Sequence, residues 1–119
     1  YFNFIVVLAN NSYTILEQRK GNGIWQNLYQ FPLIETKAAV NEQEITKKIN
    51  DLGVIPNNDF EISLYNTEDI IHKLSHQHLH TKFWIVTTQQ SLKNAISTTK
   101  LHDFPVPILI SNFIEKFDF

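Results

Sequence analysis

The chain contains no cysteine. This excludes a disulfide framework, a thiolate nucleophile and any cysteine-held zinc or iron–sulfur centre within these 119 residues. No apolar run is long enough to span a bilayer. The opening Tyr1-Phe2-Asn3-Phe4 has no initiator Met and no basic leader, so it does not read as a secretory signal. A basic excess is missing too, because the formal net charge is −2. A stand-alone nucleic-acid binder usually carries a positive surplus. Any contact with a polyanion must therefore be local, with most phosphate neutralisation supplied from elsewhere. No internal repeat, low-complexity tract or linker interrupts the chain. There is no Gly-Lys-Ser/Thr phosphate loop and no Gly-x-Ser-x-Gly elbow, which removes P-loop chemistry and elbow-type hydrolases.

The residues that are present are those of a globular domain. Apolar residues make up 43% and aromatics 13%, far from the charged, apolar-poor signature of disorder. A domain of this length buries roughly two-thirds of the surface its unfolded chain exposes. The chain enters a strand-like run at once. Residues 1–119 are therefore expected to be one domain, cut from a longer chain.

Phe4 to Leu8 is a β-rich apolar run, Asn10-Asn11-Ser12 is a turn cluster, and Tyr13 to Gln18 reads as a second strand. Arg19-Lys20-Gly21-Asn22-Gly23 is a polar loop whose glycines permit positive φ. Asn41 to Leu52 predicts a helix. Asn41 is suited to cap it, Glu42 and Glu44 suit the first turn, and Gly53 is placed to stop it. Ile45, Ile49 and Leu52 fall on one face at helical spacing. Phe60 to Asn66 alternates as a strand. Ile70 to Leu74 and Gln77 to Thr88 read as two more strands around a tight segment at Ser75-His76. Pro107 suits the first turn of a terminal helix whose apolar face is Ile110, Phe113, Ile114 and Phe117. Strands, helix, strands, helix predict an α+β fold with a mixed or antiparallel sheet and about two helices.

Several segments carry chemistry that the residues alone leave open. In His72-Lys73-Leu74-Ser75-His76-Gln77-His78-Leu79 the small hydroxyl at a hairpin tip can read a base edge, with His76 beside a phosphate. It can equally be an ordinary turn in which Ser75 bonds its own backbone. Four histidines, at 72, 76, 78 and 80, raise a His-only zinc site, and His76, His78 and His80 would share one strand face. No carboxylate neighbours them in sequence to orient such ligands, so strand histidines beside a polyanion are the preferred reading. Arg19 to Trp25 either cradles a phosphate or is a solvated loop with Trp25 tucked into the core. Phe83-Trp84-Ile85-Val86 is apolar on both faces, which reads as a central buried strand rather than a base-stacking platform.

Taken together, these pieces resemble the C-terminal domain of MutY-type adenine DNA glycosylases. The matching blocks are Phe4-Ile5-Val6-Val7-Leu8, Glu17-Gln18-Arg19-Lys20, Gly23-Ile24-Trp25-Gln26-Asn27-Leu28-Tyr29-Gln30-Phe31-Pro32, His72-Lys73-Leu74-Ser75-His76 and Phe104-Pro105-Val106-Pro107-Ile108. They run in order over nearly the whole chain. The family's reading motif is usually Phe-Ser-His, and Leu74 stands here at its first position. The resemblance implies that Ser75 hydrogen-bonds 8-oxoguanine opposite adenine and that His76 holds the lesion-bearing strand. Leu74, Lys73, His72, Arg19 and Lys20 would complete the contact with double-stranded DNA. It implies no cofactor and no catalytic residue in this domain. The catalytic domain of the same chain, with a [4Fe-4S] cluster, would lie upstream, in a bacterial cytoplasmic, nucleoid-associated setting away from membranes.

That family domain resembles Nudix hydrolases in fold. Counting back from Gly53-Val54, the positions of the Nudix metal box hold Pro32, Ala38, Thr46, Lys47, Asn50 and Asp51, of which only Asp51 keeps a carboxylate. Divalent Mg²⁺ wants several oxygen ligands, so the fold is expected without its hydrolase site. The competing readings are a Nudix-type hydrolase of oxidised nucleotides and a protein-interaction module.

Overall fold

Residues 1–21, 23–74 and 77–119 are described by the computed structural model of the chain. Strands β1 (Phe2–Ala9), β2 (Tyr13–Thr14), β3 (Glu17–Gln18), β4 (Tyr29–Gln30) and β5 (Leu33–Glu35) precede helix α1 (Glu42–Leu52). Then come β6 (Glu61–Leu64), β7 (Ile70–Lys73), β8 (His78–Thr88), β9 (Ile96–Ser97) and helix α2 (Ile108–Lys116). Short 3₁₀ turns occupy Pro56–Asn58 and Thr98–Asp103.

Two long strands form the centre. β1 and β8 pair in parallel from Phe2↔Thr81 to Ala9↔Thr88. Every other described pairing is antiparallel, which makes the seven-stranded sheet mixed. β3 and β4 form a separate two-stranded ladder.

Both faces of the central pair are covered, so successive side chains of β1 enter different cores. Phe2, Phe4 and Val6 pack with Phe83, Ile85, Phe31 and the α2 residues Leu109, Ile110, Phe113 and Ile114. Ile5 and Val7 pack with Trp84, Val86, Ile15 and the α1 residues Ile45 and Ile49. This is why Phe4 to Val7 and Phe83 to Val86 read as unbroken apolar runs. On the α2 side, Phe83 stacks on Phe113 at 4.1 Å and on Phe4 at 5.4 Å.

Helix α1 is bounded by the expected local chemistry. The Asn41 side chain accepts from the Glu44 backbone N–H at 2.8 Å, and the Glu44 carboxylate accepts from the Asn41 N–H at 3.2 Å. Such a capping box contributes on the order of 1 kcal/mol. Gly53 ends the helix in the left-handed region at φ 68°, where only glycine is unstrained. Helix α2 starts directly after Pro107.

Two expectations are corrected. Leu52 shares the spacing of Ile45 and Ile49 but is 48% exposed, as the last residue of the helix. Tyr13 to Gln18 is not one strand. Tyr13 and Thr14 join the main sheet, while Glu17 and Gln18 pair with β4. Between them Ile15 enters the α1-side core and Leu16 packs on the α2-side core, and neither is paired in a ladder.

Candidate functional site

The β7–β8 hairpin carries the histidine-rich segment. Its register is Ile70↔Thr81, Ile71↔His80, His72↔Leu79 and Lys73↔His78. The Leu74 N–H donates to the Gln77 carbonyl at 2.8 Å, closing the ladder on either side of Ser75 and His76. Those two residues, the proposed readers of the lesion, lie outside the described residues. β1 begins opposite Thr81, so residues 78–80 pair with β7 alone and the hairpin overhangs the sheet.

Asn66 anchors the overhang at its root. Its amide donates to the Thr81 carbonyl at 2.9 Å, and its side-chain oxygen accepts from the Phe83 N–H at 2.8 Å. The side chain thus continues the ladder between the segments of β8 covered by β7 and by β6.

The register divides the sequence-predicted residues between two faces. Directly opposed residues of an antiparallel pair point the same way. Ile71, Lys73, His78 and His80 therefore share one face, and His72, Leu74 and Leu79 share the other. Leu79 is buried, and Leu74 packs half-buried against the α2-side core. His72 and Lys73 are sequence neighbours but serve opposite faces.

The Arg19-Lys20 loop reaches the His72 face through Trp25. The Arg19 N–H donates to the Leu28 carbonyl and the Asn27 N–H to the Arg19 carbonyl, each at 2.8 Å. The Arg19 guanidinium donates to the Ile24 carbonyl and to the Gln30 side chain, both at 3.2 Å. It also lies 5.9 Å from the Trp25 ring centroid, within cation–π range. The Trp25 ring in turn lies 5.7 Å from the His72 ring and 6.2 Å from Phe2. Lys20, next to Arg19 in the chain, is exposed. Two basic segments more than fifty positions apart in sequence thus meet around one indole. Trp25 itself sits at φ 59°. For a bulky side chain this region costs about 1–3 kcal/mol and persists only where the surroundings enforce it.

On the other face a carboxylate is present after all. The sequence reading found none beside the histidine strand, yet Asp69 Oδ2 lies 3.3 Å from His80 Nδ1. Its second oxygen is 3.9 Å from the Lys82 ammonium. The antiparallel return of β7 onto β8 brings it there. Extending the register one step from Ile70↔Thr81 would have placed Asp69 opposite Lys82. Tyr1 stacks on the same His80 ring at 5.1 Å. Among the described residues no three His, Asp or Glu side chains converge in a metal-holding group.

The Nudix box positions lie on and before α1, on the opposite side of the sheet from α2. Thr46 and Asn50 are half-buried, Lys47 and Asp51 exposed. The Asn50 side-chain oxygen is buried without a hydrogen-bond partner. One carboxylate, one amide, one hydroxyl and one ammonium do not suit Mg²⁺, which takes several hard oxygens and is repelled by a cation. The residues present do not fit the metal.

The chain matches the family model described as NUDIX domain over residues 3–116. A solved structure of a Nudix hydrolase from M. smegmatis, RenU, superposes with a TM-score of 0.68 at 9% identity, covering 97% of this chain and 81% of that chain. At that identity the likeness concerns the fold. No curated protein sequence matches the chain. With the mixed sheet between two helices and a family match over nearly its full length, the chain belongs to the NUDIX domain family.

Proposed function

We propose that this domain reads 8-oxoguanine opposite adenine on behalf of a MutY-type adenine DNA glycosylase. The observation that carries the reading is the occupancy of the box. A NUDIX domain that holds Ala38, Lys47 and Asn50 where metal-binding carboxylates belong has a use other than metal-assisted hydrolysis. The overhanging β7–β8 hairpin, with Ser75 and His76 between its last paired residues, supplies that use.

The chemistry favours a serine at such a tip. Guanine presents an acceptor at N7, whereas 8-oxoguanine presents a donor N7–H and an acceptor at O8. A hydroxyl that accepts from N7–H separates the two. A good pair of base-edge contacts discriminates by about 1–3 kcal/mol. That biases a search for damage without performing chemistry. The catalytic domain of the same chain, upstream and carrying the [4Fe-4S] cluster, would flip the adenine and cleave its glycosidic bond. Arg19, Lys20, His72, Lys73 and Leu74 would border the DNA. The setting is the bacterial nucleoid, and no described helix is long and apolar enough to cross a membrane.

The deciding experiment is Ser75→Ala in the full-length protein. Excision from 8-oxoguanine:adenine relative to guanine:adenine is expected to fall by roughly fivefold or more. An unchanged ratio would remove the lesion-reading role and favour a protein-interaction module. The likeness to a Nudix hydrolase supports a second reading, hydrolysis of oxidised nucleotides. Incubating the 119-residue chain with Mg²⁺ and 8-oxo-dGTP separates them. Robust release of pyrophosphate or phosphate would overturn the lesion-reader proposal.

A further inference from the structure

We infer that Trp25 is a positioning residue for the reading hairpin. Its indole, held by Arg19, braces His72, three positions before Ser75 in the chain, and thereby fixes the end of β7. This inference deepens the lesion-reading proposal and rests on it.

The first support is the backbone. Trp25 occupies the left-handed region at φ 59°, a conformation that Gly or Asn adopts at less cost. The loop enforces it. The Leu28 N–H donates to the Trp25 carbonyl at 3.0 Å, and the Arg19 bonds to Leu28, Asn27, Ile24 and Gln30 fix the loop on both sides of the tryptophan. An observed outlier of this kind asks for a compensating role. Only the ring distinguishes Trp25 from a residue that would sit there unstrained.

The second support is what the ring touches. The overhang at residues 78–80 lacks β1 as a partner. On its outer face Ile71, Lys73 and His78 are exposed. Among the described residues, the rings packed against the overhanging part of the hairpin are Trp25 on His72 and Tyr1 on His80. Leu74 and Leu79 also pack on the α2-side core, and Trp25 is the ring that ties His72 of β7 to the Arg19 loop. His72 stands three positions before Ser75 in the chain. A hydrogen bond tolerates a donor–acceptor range only about 0.5 Å wide. A shift of the end of β7 by more than that would cost such a contact while the fold stays intact.

The test uses the full-length protein and reads the ratio of excision from 8-oxoguanine:adenine over guanine:adenine. Trp25→Asn keeps a residue that accepts the left-handed backbone and deletes the ring. Its ratio is expected to fall about tenfold, as loss of the base contact itself would produce. Trp25→Phe is expected to restore most of the ratio. A wild-type ratio in Trp25→Asn overturns the inference. So does an equal loss on both duplexes, the outcome of a merely structural role, or a Phe variant no better than Asn. Ser75→Ala is measured alongside. If it leaves the ratio intact, the lesion reading itself fails; if it lowers the ratio while Trp25→Asn does not, only the bracing role fails. Should Trp25→Asn lose its cooperative melt, His72→Thr removes the other half of the contact. A lowered ratio then supports the inference and an unchanged one overturns it.

Discussion

The two ends of β8 obey different rules although they belong to one strand. From Phe83 to Val86 every side chain is buried, with α2 behind one face and α1 behind the other. From His78 to His80 only Leu79 is buried. The first of these segments is flanked by β1 and β6, the second by β7 alone. The lesson is a division between anchor and probe. The inner segment is apolar because it lies between two cores. The outer one carries His78 and His80, which share a face with Lys73 of β7, and it is stiffened by Asn66, Trp25 and the Asp69–His80 contact.

Substitutions can sharpen or break this contrast. The largest effect is expected at the anchor. Phe83→Ala removes a ring stacked between Phe4 and Phe113 and should destabilise by about 3–5 kcal/mol in urea unfolding. Ile71→Ala, on the probe, should cost less than about 1 kcal/mol, because Ile71 is 49% exposed. Comparable losses would mean that the overhang is part of the core. Ser75→Ala and Trp25→Asn come next, with effects on lesion preference rather than on folding.

A smaller change is expected from Asp69→Asn. The carboxylate lies against His80 and Lys82 in a partly exposed setting, where such pairs contribute up to about 1 kcal/mol. Chemical denaturation at neutral pH reads it, and a loss above 2 kcal/mol would show that the pair does more than steady the hairpin. The least effect on stability belongs to Lys73→Ala, which should leave the unfolding midpoint in place. If Lys73 neutralises a phosphate, the slope of log affinity for duplex DNA against log salt becomes shallower by about 1. An unchanged slope places Lys73 away from the backbone of the DNA.

Some of the architecture was legible position by position. Asn41, Glu44 and Gly53 bound α1 through contacts within a few residues, so the chain order itself contains the information. Phe83 to Val86 announced a strand covered on both sides. The box count against Gly53 showed that Ala38, Lys47 and Asn50 replace box carboxylates, and the structure adds that Asn50 is half-buried. Leu52 and the break between Tyr13 and Gln18 were not legible. Each depends on which distant segment the residue meets, and local spacing cannot express that.

The candidate site divides in the same way. The sequence by itself determined which residues have the chemistry: a hydroxyl at Ser75, imidazoles at 72, 76, 78 and 80, and cations at Arg19, Lys20 and Lys73. Only the tertiary structure decided how these groups are shared out. A pleat alternates faces with a period of two, so His72 turns toward Trp25 and Arg19 while Lys73 turns toward His78 and His80. The antiparallel return of β7 brings Asp69 to a histidine eleven positions away. The loop bonds of Arg19 hold Trp25 against a strand that the sequence places nearly fifty residues later. Such pairings follow from register and packing between distant segments, which no local pattern of residues contains.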